Sequence, residues 1–255
     1  SVTFQSNGYE VATGTALQKT SGGFEAFWFA IAEPLNKPNE IDIVNDTPTN
    51  YEDDSGDVHG NFNTLNPLDG VNGQSNITLS QGNLKVTSAN SSYKGYKSTI
   101  GITSGKFYWE YTSNCVGGAS NLFSLVGIHD SSLMENNQYL GGNNHGWSFL
   151  NSNGTKAHGA SQVSYGPADG FGVGDVVMMA FDADNGKIWW GLNGTWIASG
   201  NPATGANEAY SGITGDTYFP AVTFYHSGAE GTFNFGARGS FKYTPPTDFK
   251  SLCTQ

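Results

Sequence analysis

The chain has 255 residues, enough for one large all-β domain or two small ones, and only 13% of them are charged, about half the usual share of a soluble domain. Eleven basic against twenty-two acidic residues leave a net charge of −11, the wrong sign for a surface that neutralises phosphates, which argues against nucleic acid and anionic membrane as partners. With 35 glycines and so few charges, solubility rests on Asn, Ser, Thr and Gly, which suits many short strands joined by turns.

The first 34 residues read as a short N-terminal β segment: Val2-Thr3-Phe4, Tyr9-Glu10-Val11, and Phe24 to Ala32 after the Ser21-Gly22-Gly23 turn. In the last of these, Phe27, Phe29 and Ile31 alternate with Trp28, Ala30 and Ala32, so both faces call for burial. Phe27, Trp28, Phe29 and Ile31 are therefore expected to form an assembly surface, against a neighbouring subunit or an upstream module. The longest apolar run, Ala26 to Ala32, is too short to span a bilayer, and nothing resembles a signal peptide. The start at Ser1, inside a patterned segment, reads as a processed product or a piece of something longer.

Residues 35–75 read as an irregular linker, with scattered Pro, Asn, Asp and Gly and an acidic cluster of Glu52, Asp53, Asp54 and Asp57. From residue 76 strand signals resume: Ile77 to Leu79, Leu84 to Thr87, Lys97 to Ile102, the alternating aromatics of Phe107-Tyr108-Trp109-Glu110-Tyr111, Leu122 to Ile128, and Trp147 to Leu150. Gly174 to Trp196 then forms the centre. Val176, Met178 and Ala180 alternate with Val177, Met179 and Phe181, so this strand is apolar on both faces and belongs in the middle of a sheet. Asp184-Asn185-Gly186 is read as a two-residue hairpin turn, Lys187 to Leu192 as the returning strand, and Asn193-Gly194 as a second turn. Tyr218 to Phe224 and Thr232 to Phe235 follow. Strands spaced by about 8–12 residues, with no helix-length periodicity, predict an all-β sandwich or barrel, and the hairpin of Gly174 to Trp196 is read as the centre of a sandwich over 76–252, with a tail at 253–255.

Little in the sequence looks like catalysis. Retaining glycosidases need carboxylates about 5–5.5 Å apart, and no Glu-x-Asp-x-x-Glu array occurs; Glu110 is alone in its strand. Asp182 and Asp184 flank a turn that explains them, and Lys187 and Asn193 stand where a calcium loop would require Gly and Glu. The five histidines, at 59, 129, 145, 158 and 226, show no metal-ligand spacing. Gly170-x-Gly172-x-Gly174 precedes a strand instead of a helix, against a nucleotide site. No metal or other cofactor is expected. Cys115 and Cys253 admit either a bridge or two free thiols. Asn-x-Ser/Thr triplets at Asn45, Asn76, Asn90, Asn153 and Asn193 read as turn residues.

Loop chemistry remains. Glu135 to Trp147, ENNQYLGGNNHGW, gathers amides, Tyr and His in a mixture that can stack on rings while bonding to hydroxyls. The candidate binding residues are Tyr139, Asn143, Asn144, His145 and Trp147, with Tyr165, Tyr225 and His226 from other loops. Trp147 and one of Trp189 and Trp190 are more readily read as core, and Tyr139 and His145 as exposed.

The chain from about 76 to 252 resembles the SPRY (B30.2-like) family, an antiparallel β-sandwich of the concanavalin A-like type. Six stretches carry the resemblance, in the family's order: Gly105-Lys106-Phe107-Tyr108-Trp109-Glu110, Val126-Gly127-Ile128, Gly170 to Val177, Phe181 to Gly194, Tyr218-Phe219-Pro220-Ala221-Val222, and Phe233-Asn234-Phe235-Gly236. The ending, Phe241 to Leu252, is similar to the close of SPRY domains in bacteriophage virion proteins. Asp46 to Tyr51 with Gly60 to Pro67, and the strand Phe24 to Pro34, are similar to what precedes such domains there. The resemblance implies a non-enzymatic recognition module gripping its partner through loops. In the phage setting it implies a tail-fibre or surface protein of the virion that binds a host cell-surface glycan or protein. Other virion subunits, in a homotrimer by analogy, would be its remaining partners. A purely structural virion component and a glycan-degrading enzyme are the alternatives.

Overall fold

A computed structural model describes residues 2–5, 8–11, 51–52, 58–59, 61–70, 76–89, 92–115, 123–237 and 241–254. The chain divides into two compact units, Ser1–Glu40 and Ile41–Gln255. In the first, β1 (Val2–Gln5) and β2 (Gly8–Val11), both legible as strands in the sequence, pair antiparallel. The expected assembly strand with Phe27, Trp28, Phe29 and Ile31 lies outside the described residues. In the second unit β3 (Tyr51–Glu52) and β4 (Val58–His59) make a small ribbon, and the remaining described strands form a sandwich.

Its first sheet draws on β5 (Leu65–Gly70), β8 (Lys94–Ser98), β10 (Ser124–His129), β11 (Gly146–Leu150), β12 (Thr155–His158), β13 (Ser161–Ser164) and β17 (Phe219–Phe224), in the order β13-β12-β11-β10-β17-β8-β5. The second draws on β6 (Ile77–Ser80), β7 (Lys85–Ser88), β9 (Lys106–Ser113), β14 (Val176–Asp182), β15 (Lys187–Leu192), β16 (Thr195–Trp196) and β18 (Glu230–Asn234), in the order β16-β15-β14-β9-β18-β7-β6. Within both sheets the described strand pairs are antiparallel.

β14 lies between β9 and β15 and is buried along its whole length. Its period of two decides the layers. Val177, Met179 and Phe181 enter the core between the sheets with Trp109, Tyr111, Phe149, Trp190 and Val222. Met178 and Ala180 face the other way, into a separate cluster with Tyr108, Trp189 and Phe249. Burying each large side chain contributes about 1.5–3 kcal/mol. This outer face is roofed by the C-terminal segment, whose Phe241 ring meets Tyr108 edge-on at 4.8 Å.

The two turns of the central hairpin exchange the roles that the sequence suggests. Asp182 pairs with Lys187, so the connection holds four residues, and only Gly186 in it has positive φ (60°). Asp182 shapes it by accepting the Asn185 backbone N–H (3.0 Å) and side-chain amide (2.8 Å). The two-residue turn is Asn193-Gly194, at φ 50° and 89° between the paired Leu192 and Thr195, as a tight hairpin demands.

Three further differences have physical causes. The strand expected at Lys97 to Ile102 begins at Lys94 and ends at Ser98; Thr99 and Ile100 are bent by side-chain bonding to Asn63, whose Oδ1 accepts from both Thr99 Oγ1 (2.9 Å) and Ile100 N (2.8 Å). Leu65–Gly70, read as linker, pairs with β8 at the sheet edge, where its Pro and Asp are tolerated. The strands β12 and β13 carry too little apolar alternation to be legible. Cys115 and Cys253 are free thiols, and burial pushes the Cys115 thiol up to about 11.

Candidate functional site

The connection from β10 to β11, residues 130–145, is a strap across the outer face of the first sheet. It leaves beside His129 and returns at Gly146, which pairs with His129. Midway, Leu140 packs on Leu125, Leu150 and Ala221, and its N–H donates to Thr223 Oγ1 (3.0 Å). Gly141 has φ 89°, and a Cβ there would stand 2.4 Å from the Ala157 carbonyl oxygen, so only glycine fits the close approach. The strap is thus held down at its middle.

Its base, where it leaves and returns, and its tip have different chemistry. At the departure, Lys97 from β8 is 1% exposed. Its ammonium donates to the carbonyl of Ser132 (2.7 Å), with those of Asp130 and Ser131 at 3.4 Å and the Asp69 carboxylate at 3.3 Å. The Phe219 ring lies below it, 5.2 Å away. Asp130 accepts from Ser132 N–H (2.9 Å) and lies 2.7 Å from His145 Nδ1. His145 stacks on His129 at 6.1 Å. Burial lowers the His129 pKa, against the opposing pull of the Asp130 carbonyl and carboxylate and aided by the Lys97 and His145 charges.

At the far end the strap reaches the start of β8. Asn137 Oδ1 accepts the Tyr93 N–H (3.2 Å) and Asn136 Oδ1 the Lys94 ammonium (2.8 Å). There Tyr139 meets Tyr93 at 5.5 Å; Tyr93 meets Tyr225 at 4.7 Å; Phe123 lies 6.0 Å from Tyr225 and 5.9 Å from His226. All five rings are half-buried, and together they form an aromatic patch continuous with the leucines beneath the strap. Burial raises the Tyr93 pKa, with the phenols of Tyr139 and Tyr225 adding to it.

The structure therefore sorts the sequence candidates. Tyr139, Tyr225 and His226 converge, joined by Tyr93 and Phe123, whose place beside strand ends no local pattern announces. His145 sits at the opposite end of the strap, about 17 Å away along β17, and its side chain is 43% exposed. Asn143 is used internally: its Oδ1 accepts the His145 N–H (3.0 Å) and its carbonyl the Gly159 N–H (2.9 Å). Asn144 is exposed beside Gly159. Trp147 is a core residue, 9% exposed, with His158 stacked on it at 4.4 Å. Trp189 and Trp190 are both core as well. Tyr165 belongs elsewhere, against Phe149 and Trp190, where burial pushes its phenol up to about 12.

Two of the carboxylates weighed above, Glu110 and Asp184, are bound into the fold. Glu110, 2% exposed, accepts from Tyr108 Oη (2.8 Å) and from the backbone N–H groups of Lys242 (2.9 Å) and Tyr243 (2.8 Å). Asp184 accepts the Gly105 N–H (2.8 Å). Both carboxylates thus hold the fold together.

Comparison with known proteins places this architecture. The crystal structure of the SPRY domain of human HERC1 superposes with a TM-score of 0.53 at 18% identity, covering 66% of this chain and 96% of that one. The chain is also 30% identical over 208 residues to a probable ATP-dependent RNA helicase, ddx1, of Dictyostelium discoideum. That match takes in 81% of this chain and 24% of the relative, so the chain spans about a quarter of that protein's length. The family model for the SPRY domain matches residues 106–238, and the chain belongs to the SPRY domain family.

Proposed function

We infer that this SPRY sandwich is a recognition module that binds a partner without covalent chemistry, through the aromatic patch of Tyr93, Phe123, Tyr139, Tyr225 and His226. The observation that carries this reading is convergence: rings from separate connections meet at one place and remain half-exposed, where a core would have closed over them. A protein segment suits the patch better than a sugar. The amide oxygens of Asn136, Asn137 and Asn143 each already accept a bond inside the strap or from β8 and its approach, and the flat aromatic faces are the larger feature the patch offers a partner.

The narrower setting is a virion surface or tail fibre, with the partner on a host cell. It rests on the resemblance of the linker and terminal stretches, and an adsorption assay with the purified chain on candidate host cells bears on it directly. The test of the binding mode is independent of the setting. Peptide-display and glycan-array selections against the purified chain are expected to yield ligands whose affinity falls about tenfold in Tyr93→Ala and Tyr225→Ala, with thermal midpoints close to that of the parent. Ligands indifferent to both substitutions would place recognition elsewhere.

A further inference from the structure

The first sheet ends on β13, and all four of its residues are exposed. It joins β12 through Gly159-Ala160, at φ 60° and 62°, with His158 opposite Ser161 and Lys156 opposite Val163. In a two-residue hairpin the pair flanking the turn exchanges hydrogen bonds and the next pair does not. The amides and carbonyls of Gln162 and Ser164 therefore aim away from β12. One residue on, the bond from Tyr165 N–H to Gly154 O (3.2 Å) keeps the same alternation.

Sheet edges are usually blunted by Pro, charge, a bulge or brevity. The opposite edge, β5, contains Pro67 and a register shift between Leu65 and Gly70; in the second sheet β16 is two residues long, while β6, Ile77-Thr78-Leu79-Ser80, is a regular edge without Pro or charge. Ser161-Gln162-Val163-Ser164 has neither Pro nor charge, and its register with β12 is regular. It also runs straight into a groove of about 320 Å³ lined by Tyr165, Pro167, Trp196, Ile197 and Ala198. Val163, 49% exposed, is two residues before Tyr165 and so extends the same apolar face. The exposed Asp169 lies two residues beyond Pro167, in a chain whose net charge is −11. The Lys156 ammonium, opposite Val163, lies over the Tyr165 (5.3 Å) and Tyr210 (4.6 Å) rings and donates to the Ala209 carbonyl.

We propose that β13 accepts an additional strand from a partner polypeptide, one that places an aliphatic side chain in the Tyr165–Ile197 groove and a Lys or Arg toward Asp169. A row of outward backbone donors and acceptors is complemented by another extended backbone; the groove selects the side chain, and the carboxylate the flanking charge. This surface is separate from the aromatic patch and stands or falls without it.

The probe is a fluorescein-labelled peptide of alternating Val and Thr with Lys at both ends. Saturable fluorescence polarisation is expected, with amide shifts concentrated at Gln162 and Ser164. Gln162→Pro removes an outward N–H without touching a bond to β12, and it weakens binding about tenfold or more. Ser164→Pro does the same at the other outward amide if the first variant misfolds. Asp169→Lys weakens binding at low salt, and the loss shrinks as salt is raised. Tyr93→Ala and Tyr225→Ala leave it unchanged. Absence of saturable binding, or binding that survives the proline variants, overturns the proposal. So does a concentration-dependent dimer of the chain alone that Gln162→Pro dissociates, which would assign the edge to self-pairing.

Discussion

Glu110 shows how one residue can be plain in the sequence while its role is not. It stands alone among aromatics, which suffices to doubt a catalytic pair, but the two N–H groups it accepts are 132 and 133 residues away, beyond any local pattern. Replacing it with Ala leaves the Tyr108 hydroxyl and both backbone donors without their acceptor. Each such loss costs about 1–3 kcal/mol, so Glu110→Ala is expected to lower the unfolding free energy by about 3 kcal/mol or more, read from urea denaturation. Glu110→Gln, which keeps an acceptor oxygen, loses less. His129 gives a pH signature. Its folded pKa lies below its ordinary value of 6.5, chiefly through burial, so the unfolded chain binds the proton more readily. Its contribution to stability is complete above pH 6.5 and is lost as pH falls below that value toward the folded pKa. The thermal midpoint should therefore drop on acidification across this range, and the part due to His129 should vanish in His129→Gln.

At the scale of elements, legibility follows periodicity and burial. β14 is apolar on both faces because clusters lie on both sides of it, and its alternation announces this. β13 is largely polar because water covers it, and nothing in its composition separates it from a loop. The strap is the harder case. Its sequence, rich in Gly and Asn, signals a loop with exposed chemistry, and part of that holds: Tyr139 reaches the aromatic patch. Gln138 and Asn143, however, serve the strap's own turns, and Asn136 and Asn137 tie it to β8 and its approach, a partition set by its path over the sheet. Gly141 is the tightest point of that path. Gly141→Ala must accept both a φ of 89° and the Ala157 carbonyl at 2.4 Å, and is expected to cost about 2–4 kcal/mol, measured by thermal or urea unfolding. Amide exchange at Leu140 should rise in step, because its bond to Thr223 depends on the same seat.

Over the whole molecule, the fold is far more legible than the site. Six blocks in one order identify the sandwich, and each reaches into one of the strands β9, β10, β14, β15, β17 and β18. The binding patch is assembled from connections remote in sequence, with Tyr93 beside β8 and Phe123 beside β10, and the pairing of β8 with β17 and of β17 with β10 is what makes them neighbours. The outer face of the second sheet is also a property of the whole. Tyr108, Met178 and Trp189 are buried because Phe241, Tyr243 and Phe249 cover them. Deleting residues 241–255 should uncover this cluster, so that the truncated chain binds a hydrophobic dye, shows red-shifted tryptophan emission and aggregates at concentrations the parent tolerates.

The two extremities of the sandwich are hydrogen-bonded to each other. Phe62 bridges Cys253, Asn63 N–H donates to Leu252 O (3.0 Å) and Thr254 N–H to Asn61 O (2.9 Å). A unit whose entrance and exit lie side by side occupies almost no length along the polypeptide that carries it, so it can be spliced into a surface loop of a larger protein without prising that loop apart. The same clasp makes the order of strands negotiable: joining residue 254 to residue 61 through a short linker and opening the chain in an exposed turn such as Asn193-Gly194 would give a permuted sequence with the sandwich unaltered.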